Sequence, residues 1–475
     1  MSTTSKASQR IASLLDDNSF AQIGALVTAR ATDFNLDPKM TPSDGCITGY
    51  GTIGDKLVYV YAQDASVLGG TIGEMHARKI VNLYNLALKM GAPVIGLLDC
   101  AGMRLQEATD ALYAFGRIYA KQSAASGVIP QITAILGNCG GGLALFPTMT
   151  DFTFMAKEGA QLFVNAPNAI AGNRAEKCDT ASAAFQSAET GIVDVVADEA
   201  EIFAQIRKLV SFLPANNEDV VLEDCTDDLN RAVEGIAGCK GDTAIALSLI
   251  ADDSDFFEVK ADYAKEMVTG FLRLNGSTVG AVANRCQVFD AEGKEAAKFD
   301  AVLTADGCEK AADFIRFCDA FEIPVLSLTN VKGFDATIDS EKRVARAAAK
   351  LVDAFAGATV PKVNVVVGDA LGNAANVMNA KAIGADLTIS WEGARIGTME
   401  GKLAAQVLAA DKSADEQKAV AKEYDEELQS AQSAARRGYV DQIIDPADTR
   451  KYVIAAFEML YSKRDSRPEK KHTAV

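Results

Sequence analysis

The residues best placed to do chemistry in this chain are glycines. Gly137-Asn-Cys-Gly-Gly-Gly-Leu143 follows a short apolar run, Ile132–Leu136, and opens into an apolar helix. Glycines there let a ligand approach the backbone closely and leave N–H groups free for an anion. The helix start adds positive partial charge. A second strand end, Asp99-Cys-Ala-Gly-Met-Arg104, precedes it by one helix. Two neighbouring strand ends that present backbone N–H groups form an oxyanion hole, suited to an enolate or thioester oxygen. By itself a glycine triplet before a helix also fits pyrophosphate binding or tight strand–helix packing. The spacing matches neither GxGxxG nor GxxxxGK[ST], which disfavours nucleotide binding through those motifs.

Side-chain catalysts are scarce. The chain has 475 residues but only two histidines, His76 and His472, so a histidine zinc site or a Ser-His-Asp triad has almost nothing to build on. No metal site is expected. Cys139 beside the glycines lacks a histidine partner and reads as packing rather than as a nucleophile. Glu74 and Glu107 could serve as an acid/base pair, but helix capping or pairing with Arg78 and Arg104 is the stronger reading. Trp391 reads as core.

The glycines recur. Pro93, Val94, Gly102, Pro130, Gly137 and Gly141 reappear 231 positions later as Pro324, Val325, Gly333, Pro361, Gly368 and Gly372. Asp151 has a looser echo in Asp386, and Gly191-Ile-Val-Asp194 in Gly438-Tyr-Val-Asp441. A repeat this long is a duplicated domain, not a solenoid unit. In each half a hairpin comes first, turning at Gly54-Asp55 and at Gly276. Helix, strand, helix and strand follow: Met75–Met90, Val94–Leu98, Gln106–Ser126 and Ile132–Leu136, then Glu309–Phe321, Val325–Leu328, Ser340–Phe355 and Val363–Val367. The predicted fold is α/β with partly parallel sheets. The expected division is a first domain over 1–215, a polar linker over 216–255 and a second domain over 256–475. Residues 1 to about 40 read as a helical leading segment, and 462–475 as a basic polar tail.

The net charge of −17 argues against nucleic acid as a partner. Nine scattered cysteines without a CxxC pair read as reduced thiols in the cytoplasm. The first residues lack the apolar core of a signal peptide, and no apolar run approaches the ~20 residues needed to cross a bilayer.

Several segments together resemble the carboxyltransferase subunits of biotin-dependent acyl-CoA carboxylases, transcarboxylases and decarboxylases, above all methylmalonyl-CoA decarboxylase α and propionyl-CoA carboxylase β subunits. They are Thr48-Gly-Tyr-Gly-Thr-Ile53, Gly69-Gly-Thr-Ile-Gly-Glu-Met-His-Ala77, Leu86-Ala-Leu-Lys-Met-Gly-Ala-Pro-Val94, Ala125-Ser-Gly-Val-Ile-Pro-Gln-Ile132, Arg316-Phe-Cys-Asp-Ala-Phe321, Ala358-Thr-Val-Pro-Lys362 and Arg437-Gly-Tyr-Val-Asp441. The resemblance runs from Leu14 to His472. It implies two tandem crotonase-like ββα-superhelix domains, the first holding a short-chain acyl-CoA and the second carboxybiotin, with the active site shared between protomers. The resemblance leaves the acyl group open among methylmalonyl/propionyl, malonyl/acetyl and glutaconyl, and implies that backbone donors rather than a side-chain acid or base would carry the reaction. By position, Gly141 and Gly142 would bind the thioester oxygen with support from Gly102. Ala101, Met103, Arg104, Cys139, Gly140 and Leu143 would line the acyl-CoA. Gly372 and Ala374 would face biotin, beside Gly333, Phe334, Leu371 and Asn373. Biotin would arrive in trans on a biotin carboxyl carrier protein. A biotin carboxylase or a membrane decarboxylase subunit is a further candidate partner, in a homo-hexamer or a hetero-oligomer with a paralogue.

The second half departs from the family pattern. Asn330-Val-Lys-Gly-Phe334 stands for Asp-Val-Pro-Gly-Phe, and Leu371-Gly-Asn-Ala-Ala375 for Tyr-Gly-Gly-Ala-Tyr. Asn373 replaces a glycine, and asparagine tolerates left-handed backbone better than most residues. These changes motivate a second reading, a non-catalytic or half-site partner subunit. A third is a biotin-independent acyl-CoA hydratase or isomerase. Ala87-Leu-Lys-Met90 resembles a biotin-attachment sequence but falls at the end of an amphipathic helix, so biotinylation of this chain is not expected.

Overall fold

In the computed structural model, which describes residues 5–30, 41–290 and 292–466, the chain forms two compact units, Met1–Val220 and Val221–Val475. The first is built on an eight-stranded sheet. Its hairpin, Cys46–Ile53 with Lys56–Gln63, is antiparallel and turns at Gly54-Asp55. From Lys56–Gln63 onward the ladder is parallel, through Val94–Cys100, Gln131–Gly140, Phe152–Ala156 and Val195–Ala197. Helices Glu74–Met90 and Ala108–Ala125 make the crossovers, which parallel pairing requires. The first of them ends on Gly91, at φ 60°, as its sequence predicts.

The second unit repeats the order. The antiparallel pair Met267–Leu274 and Ser277–Asn284 leads into parallel strands Val325–Val331, Lys362–Leu371, Leu387–Trp391 and Gln442–Ile444. The duplication extends to single hydrogen bonds. Asp151 and Asp386 each accept a backbone N–H at the start of the preceding strand, from Gln131 at 2.7 Å and from Lys362 at 2.8 Å. Asp194 and Asp441 do the same for Thr153 at 2.5 Å and Thr388 at 2.8 Å. Buried Lys79 and Lys310, 231 positions apart, each point an ammonium at backbone carbonyls.

Three expectations are revised. The stretch read as a linker, 216–255, contains helix Thr243–Ile250. Val233, Ile236, Leu247 and Ile250 from it are buried in the second unit's core, so the charged residues between them mask an apolar contribution. The leading segment is helical only over Lys6–Leu14 and then supplies an edge strand, Ala21–Ile23; residues 1–4 and 31–40 lie outside the described residues. The helix read over Ser340–Phe355 is two, Ile338–Glu341 and Val344–Gly357. Of the tail, Lys463 bonds Asp386 and the Val360 carbonyl, while 467–475 lie outside the described residues. Trp391 is core, its Nε1 donating to Thr449 Oγ1 at 2.9 Å.

Candidate active site

Cys100 and Cys139 are register partners on the two central strands of the first unit. Two residues beyond each of them stand Gly102, at φ 106°, and Gly141, at φ 63°. Both angles fall where only glycine is at ease. A Cβ on either would meet nothing within 4 Å, so open space lies in front of both turns. Gly141 and Gly142 head the helical turns Gly141–Ala144 and Leu145–Thr148, whose first N–H groups lack intrahelical acceptors. The Gly102 N–H is turned back onto Cys100 Sγ at 3.2 Å. Gly102 therefore shapes the turn, and Gly141 and Gly142 present the donors.

The Gly142 peptide is fixed by a residue that motif reading did not find. Tyr119 Oη, from helix Ala108–Ala125, donates to the Gly142 carbonyl at 2.7 Å. Its ring packs edge-on against Phe146 at 5.6 Å. The only sequence signal was the i, i+4 spacing of Phe115 and Tyr119 on one helix face.

The Ala101–Arg104 turn is stapled to Gly69–Ile72: Ala101 N donates to Gly69 O, Ile72 N to Gly102 O and Arg104 N to Ile72 O, all at 2.9–3.0 Å. The Arg104 side chain completes the staple. Its guanidinium is buried, paired with Asp44 and Glu107, and donates to the Thr71 carbonyl at 2.7 Å. Glu107 also accepts the Glu74 N–H at 2.6 Å, and Glu74 pairs with Arg78. The two glutamates are thus spent on capping and ion pairs. Of the residues expected to line the acyl-CoA, Ala101 and Met103 are exposed on the turn, Gly140 is part-buried, and Arg104, Cys139 and Leu143 are buried. Cys139 Sγ sits 3.6 Å from the Leu143 carbonyl, and burial pushes its thiol well above the usual range. His76 is equally inert. Burial, with Arg104 and Lys79 nearby, pushes its imidazole down to about 3.

The second unit places its glycines by the same rule. Val331 and Ala370 are register partners, and Gly333 and Gly372 stand two residues beyond them. Both strand pairs carry an irregularity just before that point, between Leu98 and Cys100 and between Thr329 and Val331. Gly372 has φ 63°, and a Cβ there would lie 3.2 Å from the Thr398 carbonyl oxygen. Asn373 is not in the left-handed region, so its tolerance of that region is not called upon. It is exposed, its Oδ1 accepting from Asn376 at 3.3 Å. Leu371 and Ala374 are buried, and Phe334 is half-buried beside Leu303. Lys332 faces Asp369 and Glu400, both at 3.7 Å, and Asp369 also holds Arg395 at 2.6 Å.

The model of the carboxyl transferase domain matches residues 4–475. The chain belongs to the carboxyl transferase family. The methylmalonyl-CoA decarboxylase α subunit of Veillonella parvula is 38% identical over 98% of this chain and 92% of its own length. The propionyl-CoA carboxylase β chain of Roseobacter denitrificans is 37% identical over 99% and 93%. A crystal structure of transcarboxylase 12S, described as a hexamer with methylmalonyl-coenzyme A and methylmalonic acid bound, superposes with a TM-score of 0.91 at 35% identity, covering 98% and 92%. The crotonase-like α/β fold and the carboxyltransferase class inferred from sequence therefore stand. Among the described residues no helix is long and apolar enough to cross a membrane.

Proposed function

We propose that this carboxyl transferase moves a carboxyl group between a short-chain acyl-CoA, methylmalonyl/propionyl-CoA or malonyl/acetyl-CoA, and biotin borne on a separate carrier protein. The observation that carries this reading is one glycine pair per half at matched places: Gly102 and Gly141 two residues beyond the register partners Cys100 and Cys139, Gly333 and Gly372 two beyond Val331 and Ala370. In the first half, negative charge developing on the thioester oxygen would meet the N–H groups of Gly141 and Gly142. Removing one such donor costs about 3 kcal/mol, or roughly a hundredfold in rate. Tyr119, bonded to the Gly142 carbonyl, would steady the turn that carries those donors, and the Arg104 staple would steady the neighbouring Gly102 turn, neither touching substrate.

The second half fits biotin's ureido group. Gly372 gives a left-handed turn with no room for a side chain on the Thr398 side, and the N–H groups at Gly372 and Ala374 would serve the ureido oxygen, with Gly333 as the neighbouring turn. Bound biotin supplies the carriage of the carboxyl group; the chain supplies position and polarity. The proposed partners are a biotin carboxyl carrier protein and further copies of this chain in a hexamer, with a biotin carboxylase or membrane decarboxylase subunit as the next candidate. The free thiols fit the cytoplasm.

The test is incubation of the purified chain with methylmalonyl-CoA or malonyl-CoA, with and without free biotin or biocytin, following the CoA esters. Biotin-dependent decarboxylation is expected. Binding of CoA esters without turnover would overturn the proposal in favour of a partner subunit.

A further inference from the structure

The two halves close the same irregularity in different ways. Between the register pairs Leu98–Ile135 and Cys100–Cys139 one strand has a single residue, Asp99, and its neighbour has three, Leu136, Gly137 and Asn138. Between Thr329–Val366 and Val331–Ala370 the count is the same, Asn330 against Val367, Gly368 and Asp369. A bulge disrupts the ladder and re-aims the chain beyond it, and what lies beyond each of these is a glycine turn. Backbone groups inside a bulge need partners from elsewhere.

In the second half one amide is enough. Asn330 accepts the Asp369 N–H through Oδ1 and donates to the Lys240 carbonyl through Nδ2, both at 3.0 Å. A carboxylate at the same place can only accept. Asp99 therefore needs a donor, and helix Lys6–Leu14 brings one. Arg10 Nη1 donates to Asp99 Oδ2 at 2.9 Å and Nη2 to the Leu136 carbonyl at 2.8 Å, so one guanidinium grips both sides of the bulge. Nε and Nη2 also bond Glu199, each at 3.0 Å. The Arg10 side chain is 2% exposed. The next register pair is Cys100–Cys139, two residues short of Gly102 and Gly141.

We propose that Arg10 is a positioning residue for the oxyanion donors of the first half. It fixes the two strand ends from which the Gly102 and Gly141 turns depart, and it touches no substrate. The inference rests on the reading of Gly141 and Gly142 as those donors.

The test compares Arg10→Met with Arg207→Met in the full chain. Arg207 holds the end of the same helix, through the Leu14 carbonyl at 2.8 Å and Asp16 at 2.6 Å, away from both strand ends. Both variants should lose stability. Only Arg10→Met should lower kcat for decarboxylation of methylmalonyl-CoA or malonyl-CoA with biocytin, by about tenfold or more, with KM within about twofold. Adding Asp99→Asn to Arg10→Met copies the Asn330 arrangement and should restore most of that loss. If Arg10→Met fails to fold, Arg10→Lys takes its place, keeping the charge without the fork. Hydrogen exchange at 100–102 and 140–142, read on the same proteins, should quicken with the Arg10 change and not with the Arg207 change. A wild-type chain that turns over no acyl-CoA would overturn the proposed function, and exchange would then decide whether Arg10 holds the turns. Equal kcat and equal exchange in the two single variants, or no recovery on adding Asp99→Asn, overturns the proposal.

Discussion

Gly137 lies so close to Asp99 that a Cβ on the glycine would stand 2.0 Å from Asp99 Oδ1. The same carboxylate accepts from Arg10 Nη1 at 2.9 Å, and Arg10 also holds Glu199 and the Leu136 carbonyl. The second half repeats the contact without the charge: a Cβ on Gly368 would stand 2.4 Å from Asn330 Oδ1. There the amide oxygen accepts the Asp369 N–H at 3.0 Å, and the amide nitrogen donates to the Lys240 carbonyl at 3.0 Å. The repeated glycines at these positions thus serve close packing between strands. Gly137→Ala should cost about 1–3 kcal/mol through overpacking, read as a lower urea midpoint. A midpoint equal to wild type would show that the Asp99 side chain simply swings aside.

Gly141 differs from Gly137 in having space in front of it. Gly141→Ala places a methyl group in that space and imposes φ 63° on a residue that resists it. The backbone strain is about 1–2 kcal/mol. The larger effect should be on turnover, which should fall about a hundredfold if the Gly141–Gly142 donors are displaced. Steady-state kinetics on a confirmed acyl-CoA, beside a denaturation curve, separates the two. Loss of fold without a specific loss of turnover in the folded fraction would remove Gly141 from the site.

His76 gives a pH prediction. Burial, then Arg104 and Lys79, pushes its imidazole down to about 3 in the folded chain, while an unfolded histidine titrates near ~6.5. Between those values the unfolded chain takes up a proton that the folded chain refuses. Stability should therefore fall as pH drops below about 6.5 and keep falling toward 3. Nδ1 lies 3.0 Å from the Asp44 carbonyl oxygen, a bond that the neutral ring can donate. His76→Gln should flatten the slope of unfolding free energy between pH 7.5 and 5. An unchanged slope would mean that other groups account for it.

Sequence made the glycine turns legible because a repeated glycine after a buried strand has few explanations. The crossovers were legible through helical period and the terminal Gly91. Arg104 was legible in part: its pairing with Glu107 was expected, while its place along the acyl-CoA came from the resemblance, and only the fold brings Asp44 from 60 positions away to share its charge. Thr243–Ile250 was hidden by acidic neighbours, which conceal a short helix with a fully buried Leu247 and Ile250.

Lys79 and Lys310 carry the last prediction. Each belongs to a crossover helix, and each ammonium reaches carbonyl oxygens of the segment leading into the sheet. Lys79 bonds Ser43 O at 3.0 Å and Cys46 O, and Lys310 bonds Lys260 O and Tyr263 O, both at 2.8 Å. A lysine donor shared among carbonyls ties helix to strand where no regular ladder does so, and burial pushes the Lys310 ammonium down to about 7. Replacing either lysine by methionine keeps the stem's packing and strands buried acceptors, at about 1–3 kcal/mol each. The two sites lie in different units, so the losses in unfolding free energy should add within about 0.5 kcal/mol. Hydrogen exchange should show faster opening around 43–46 in Lys79→Met and around 260–264 in Lys310→Met. Uniform protection in both variants would show that packing alone holds these segments.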